Sequence, residues 1–152
     1  IVAQTTRKVI ATNRQARHNY HISDTLEAGI ELFGSEVKSL RSGSASISEA
    51  FISFENRQAY LVGAHIPIYP QAGNDNHEPI RKRRLLMSKK QIADWGQGTT
   101  AKGYSVVPLK LYFKGPWVKV EIGLGKGRKD YDKRHKIKEQ DQKREMQRVF
   151  RR

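Results

Sequence analysis

The chain has 152 residues, 37% of them hydrophobic and 29% charged, with a formal net charge of +14 and no cysteine. That length suits one ordinary domain with its own core, and the lack of thiols excludes disulfides and thiolate metal sites. Apolar runs are too short for a membrane span and the N-terminus lacks a secretory core, so a cytoplasmic protein without a membrane partner is expected.

A first helical turn or two is predicted in "NRQARHNY", behind Asn13 as N-cap, and "HISDTLEAGIEL" reads as a strand. "SEVKSLRSG" spaces Val37 and Leu40 three apart behind Ser35 as N-cap and stops before Gly43, which predicts a short helix. In "AFISFENRQAYLVGA", Ile52 and Phe54 alternate before a turn containing Asn56, and Tyr60 and Val62 alternate after it, the pattern of a hairpin. "IPIYPQAGNDNHEP", from Ile66 to Pro79, reads as a long surface loop. "SKKQIADWGQG" carries a capping box, Ser88 with Gln91, and turns Ile92 and Trp95 one way. Leu109, Leu111 and Phe113 are expected on one strand face with Lys110 and Lys114 on the other. After the "KGPW" turn, Val118, Val120, Ile122 and Leu124 repeat the pattern with Lys119 and Glu121 outward. Many short strands, two or three small helices and glycine-rich turns predict a mainly β fold, a closed or partly closed barrel of which the OB type is one candidate.

Residues 1–127 are expected to form this barrel, and residues 128–152 a basic tail. From Lys126 to Arg152 there are 12 Lys and Arg against 5 Asp and Glu, a net of +7. Asp130 with Arg134, Asp132 with Lys136, and Glu139 with Lys143 are acid-before-base pairs at i,i+4, each worth about 0.2–0.5 kcal/mol in a helix. That is too little to overcome helix nucleation, so the tail is expected to be disordered when free and helical once a polyanion neutralises it. Basic side chains release counterions from a polyanion, which makes nucleic acid the first expected partner and an anionic membrane the second. The basic stretches lack the apolar face an interfacial helix needs.

Other clusters point less clearly. Arg81, Lys82, Arg83 and Arg84 run consecutively, and in an extended strand only alternate members can share a phosphate-facing surface; a solvated face is the plainer explanation. "GLGKGRKD" fits neither phosphate-binding glycine pattern and reads as a hinge. His18 and His21 lack a third ligand, and no metal or other cofactor is expected. Glu27 and Glu36 are candidates to approach one another, but no nucleophile accompanies them, so no enzymatic activity is expected. Tyr20 and Tyr131, lying among basic residues, are candidates for stacking on unpaired bases.

Three segments in order, "EAGIELFGSEVKSLRSGSASI", "NHEPIRKRRLL" and "KGRKDYDKR", resemble the small protein B family, the SsrA-binding proteins of bacterial ribosome rescue. The resemblance implies an OB-like barrel that binds the tRNA-like domain of transfer-messenger RNA (tmRNA) and brings it to stalled ribosomes. It also implies a tail that becomes helical in the empty messenger channel beside the decoding centre, and an elongation factor engaged through the RNA. By motif match Asn13, Glu27 and Leu86 fall on RNA-binding positions, with Arg17 and Tyr20 beside them. Glu36, Lys38 and Arg41, in E-V-K-S-L-R, are assigned to the RNA side as well. In the tail, Lys129, Tyr131, Asp132, Lys133, Arg134, Ile137 and Lys138 match the part that engages the ribosome, with Tyr131 standing where the family often has histidine. The rival expectations are a nonspecific single-strand-binding OB module and an RNA-processing enzyme built on His and Glu residues.

Overall fold

A computed structural model describes residues 7–100 and 103–127. Among these, seven strands alternate with three helices: β1 Arg7–Thr12, α1 Arg14–Asn19, β2 Tyr20–Ile30, α2 Gly34–Ser42, β3 Phe51–Glu55, β4 Gln58–Val62, β5 Arg83–Leu86, α3 Lys89–Thr100, β6 Tyr104–Lys114 and β7 Trp117–Gly127. All strands pair antiparallel in one sheet of order β1-β6-β7-β2-β5-β4-β3. The sheet curls until β3 approaches β6, but no ladder joins its two edges among the described residues, so it is an open, mainly β sheet here. The tail, residues 128–152, lies outside the described residues.

The β6–β7 hairpin forms as its alternation predicts, around Gly115 at φ 60°, a left-handed conformation that favours glycine. One expectation changes there. A bulge between Pro108 and Lys110 turns Leu109 away from Leu111 and Phe113, so it packs with Ala16 and Val107 on the other side of the sheet. The β3–β4 hairpin also forms, across a two-residue turn with Asn56 at φ 50° and Arg57 at φ 62°. Its buried pair of β4 residues is Ala59 and Leu61, because Phe54 and Ile52 stand opposite them; Tyr60 and Val62 share the outer face.

Helix α2 begins one residue before the predicted serine. Phe33 occupies the cap position, and Glu36 supplies the cap by accepting the Phe33 N–H at 2.8 Å, while Ser35 is engaged by His77 at 2.9 Å. The capping box of α3 is reciprocal: Gln91 N–H donates to Ser88 Oγ at 3.1 Å and Ser88 N–H to Gln91 Oε1 at 3.0 Å. Leu40 of α2 and Ile92 and Trp95 of α3 close the main core against Ile52, Leu61, Leu85, Val120 and Ile122. The long loop is exposed along its 3-10 turn, Pro70–Asp75, but stitched by Asn76 onto Tyr69 and anchored by buried His77, whose Nε2 meets Ile66 O at 2.9 Å.

Candidate nucleic-acid interface

Strands β2, β7 and β6 run side by side, with Glu27 opposite Glu121, Glu121 opposite Lys110, Gly29 opposite Lys119, and Lys119 opposite Tyr112. Paired residues on antiparallel neighbours share a face. These side chains therefore stand on the outer surface, opposite the core residues Val120, Ile122 and Leu111. Tyr112 is nonetheless buried, and its hydroxyl donates to Glu27 Oε2 while Lys114 Nζ donates to Glu27 Oε1 at 3.1 Å. The carboxylate of Glu27 is thus oriented before any ligand arrives.

Helix α1 adds to the same face. Arg17 reaches Glu121 at 3.6 Å. Ala16 packs on Val107 and Leu109, with Tyr20 and Ile22 against them. This second small core explains two glycines: a Cβ at Gly123 would lie 2.9 Å from Leu109 Cδ1, and one at Gly125 would lie 2.9 Å from Ile22 Cδ1 and 3.0 Å from Tyr20 Cβ. "GLGKG" is consequently strand β7 through Gly127 rather than a hinge over those residues. On the far side, Leu86 pairs with Gly29 and is 52% exposed; a Cβ on Gly29 would stand 3.3 Å from Leu86 Cβ and 3.6 Å from Lys119 Nζ. Glycine lets an exposed apolar side chain and an ammonium close over β2.

The structure therefore brings Arg17, Glu27 and Leu86 onto one face, together with Lys110, Lys114, Lys119 and Glu121. These last four were legible as outward positions, but only the strand register places them beside Glu27. Tyr20 is half-buried and lines a cleft of about 420 Å³ with Asn13, Phe51 and Tyr104. Lys38 and Arg41 are exposed on α2, where Lys38 Nζ stands 6.0 Å from the Tyr69 ring centre.

Two expected RNA-side residues are buried. Asn13 is 3% exposed; its Oδ1 accepts from Ala16 N at 3.1 Å, and its Nδ2 donates to Ile47 O at 3.1 Å and Pro108 O at 2.9 Å. It fixes α1, from which Arg17 projects. Glu36 is fully buried, accepting from Arg81 Nε at 3.1 and 3.2 Å and from Arg83 Nε. Burial pushes its carboxyl up, but the hydrogen bonds from Arg81, the Phe33 N–H and Arg83, with the Arg83 charge, hold it below the ordinary carboxylate range. For Arg83 burial outweighs the hydrogen bond and charge of Glu36 and lowers its affinity for the proton, and the Arg81 charge adds to that lowering. Glu27 and Glu36 are held by separate partner sets.

The basic run is likewise committed within the fold. Arg81 and Arg83 hold Glu36, Lys82 pairs with Glu55 and lies 4.3 Å from the Tyr60 ring centre, and Arg84 Nε meets Glu31 at 3.1 Å. Among the described residues no three His, Asp or Glu side chains gather as a metal site, and no helix is long and apolar enough to cross a membrane. Lys129, Tyr131, Asp132, Lys133, Arg134, Ile137 and Lys138 lie outside the described residues.

The family model for the SmpB protein matches residues 10–152. The chain belongs to the SmpB family. It is 49% identical to an SsrA-binding protein of Shouchella clausii (strain KSM-K16) over 94% of this chain and 92% of the relative. It is 50% identical to one of Bifidobacterium longum (strain NCC 2705) over 97% of this chain and 94% of the relative. A solved structure described as "tmRNA-SmpB: a journey to the center of the bacterial ribosome" superposes with a TM-score of 0.65 at 42% identity, covering 77% of this chain and 82% of that one. The SmpB match thus begins within β1, takes in the other six strands and continues past the last described residue.

Proposed function

We propose that this chain is an RNA-binding adaptor of ribosome rescue: it binds the tRNA-like domain of tmRNA and carries it to stalled ribosomes. One observation carries this reading, the likeness to SsrA-binding proteins at 49–50% identity through 94–97% of the chain. Residues 1–127 act as an OB-like barrel whose curled sheet presents Arg17, Glu27, Leu86 and the neighbouring lysines to the RNA. Residues 128–152 act as the ribosomal arm, entering the empty messenger channel and gaining helix there. The elongation factor is reached through the RNA, and the protein contributes binding rather than chemistry, in the cytoplasm.

The composition of the Glu27 face supports a selective contact. Lysines and Arg17 attract phosphate, while fixed Glu27 accepts from base amino groups and repels a misplaced phosphate. Two variants test the division of labour. Ending the chain before Asp130 leaves affinity for the tRNA-like domain intact and abolishes tagging on stalled ribosomes, whereas Glu27→Lys weakens that affinity. Equal loss of both activities in either variant contradicts the assignment, and ready displacement of the RNA by bulk tRNA at moderate salt identifies a generic binder instead.

A further inference from the structure

We propose that the exposed ring of Phe33 is a stacking platform for an unpaired base of single-stranded RNA, whose flanking phosphates lie on Lys38 and Arg41. Phe33 is absent from the residues assigned above, and it is 57% exposed. Its backbone is nevertheless fixed at both ends: its N–H donates to Glu36 Oε1 at 2.8 Å, and its carbonyl accepts from Glu36 N and Val37 N at 3.1 Å each. Its ring is backed by a cation. The Arg81 guanidinium carbon lies 4.0 Å from the ring centre. That guanidinium cannot swing away, because it also binds both Glu36 oxygens, Glu31 O at 3.3 Å and Lys82 O at 3.3 Å, and Glu36 is itself locked to buried Arg83.

A rigid aromatic left in water forgoes the gain of burial, and the surface beside it indicates which ligand recovers that gain. Gly34, Lys38 and Arg41 stand at i, i+4 and i+7, so they form the exposed face of α2 leading away from the ring. That face carries two positive charges and no carboxylate, and it reaches from Phe33 to Arg41 over about 12 Å at 1.5 Å per residue. A Cβ at Gly34 would meet nothing within 4 Å beyond its chain neighbours, so that face is open where it begins. An apolar protein segment gains nothing from two flanking cations; a nucleotide strand uses both features, base on ring and phosphate on ammonium or guanidinium. The stack then runs guanidinium, phenyl ring, base.

This inference rests on the RNA-binding reading but not on the Glu27 face, and the test keeps the two apart. The full chain and its variants are titrated, at moderate salt, with a short fluorescein-labelled oligoadenylate and separately with the tRNA-like domain. Phe33→Ala weakens oligoadenylate binding about tenfold, Phe33→Trp retains it and Phe33→Leu behaves as Phe33→Ala. The salt dependence of log K is unchanged in Phe33→Ala, because stacking releases no counterion, and falls by about 0.7 in Lys38→Ala. Melting temperatures report folding, and retention in Phe33→Trp separates lost stacking from lost structure. Oligoadenylate affinity that ignores Phe33→Ala, or that Phe33→Leu preserves as well as Phe33→Trp, overturns this site alone if the tRNA-like domain still binds. Failure of the unmodified chain to bind either RNA overturns both readings.

Discussion

Glu36 and Arg83 form an ion pair in which both side chains are 0% exposed, one on α2 and the other on β5. Arg83 spends three of its remaining four donors on Ala64 O at 3.0 Å, Arg81 O at 3.1 Å and Pro79 O at 2.9 Å. The pair thereby joins helix, strand and long loop at one point. Removing Glu36 leaves Arg83 as a buried charge without compensation, which costs about 3–5 kcal/mol. Glu36→Ala is expected to lose that much in denaturant unfolding, and a loss below about 1 kcal/mol, the level of a surface pair, contradicts the burial.

The same pair sets an acid limit. Glu36 has a folded pKa below its ordinary value of 4.5, so the folded state holds the proton less tightly than the unfolded chain. Its contribution is complete above about pH 4.5 and is lost as pH falls through the depressed folded value. Stability measured from pH 6 downward should therefore fall in that acid window, and Glu36→Gln should remove this component of the slope. An unchanged slope in Glu36→Gln would place the acid lability in other carboxylates.

Asn13 offers a sharper test of position against contact. Asn13→Ala deletes the α1 cap and takes a donor from the buried carbonyls of Pro108 and Ile47, the latter keeping Ala50 N–H at 3.2 Å, for a loss of about 2–4 kcal/mol. Asn13→Asp keeps the acceptor for Ala16 N but turns the amide that served those two carbonyls into a carboxylate oxygen facing them. It is expected to be less stable than Asn13→Ala. Greater stability of the aspartate variant, measured by thermal melting, contradicts the amide's role as a double donor.

Gly125 and Gly127 lie two apart on β7 and separate packing from flexibility. A Cβ at Gly125 meets Ile22 Cδ1 at 2.9 Å, Tyr20 Cβ at 3.0 Å and His21 O at 3.3 Å; at Gly127 it meets nothing within 4 Å. Gly125→Ala should lose about 1–3 kcal/mol by overpacking, and Gly127→Ala should be near neutral. Comparable losses at both positions indicate that the glycines serve the backbone instead.

Strands with one wet face announced themselves. Val118, Val120, Ile122 and Leu124 alternate with polar neighbours, so β7 was readable, as was its partner β6. The first helix followed from Asn13, and the third from Ser88 and Gln91, because capping is local chemistry. Strand β5 was hidden because its burial inverts hydropathy: Arg83 is inside and Leu86 outside. No local signal reveals that an arginine has a buried carboxylate 47 positions away. Leu109 was misplaced for a related reason, since a bulge changes parity without changing composition. At the candidate interface, Glu27 and Leu86 came from motif likeness, whereas Lys119, Lys114 and Tyr112 needed the register of three strands that are distant in sequence.

Tyr112 is the least visible member of that face and supports the last prediction. It is buried, and its hydroxyl donates to Glu27 Oε2, so it reaches the surface through the carboxylate it holds. Tyr112→Phe keeps the ring and removes the donor, leaving Glu27 with Lys114 at 3.1 Å. Stability should fall by about 1.5 kcal/mol, the lower end for a hydrogen bond to a charged group. Glu27→Lys should weaken binding of the tRNA-like domain by about tenfold or more, since it places a third ammonium beside Lys114 and Lys119 and removes the acceptor. Tyr112→Phe should weaken it less, and the double variant should bind no worse than Glu27→Lys alone, because a residue that acts through another has nothing left to orient. Additive losses in that cycle, read by filter binding, would show that Tyr112 shapes the face independently of Glu27.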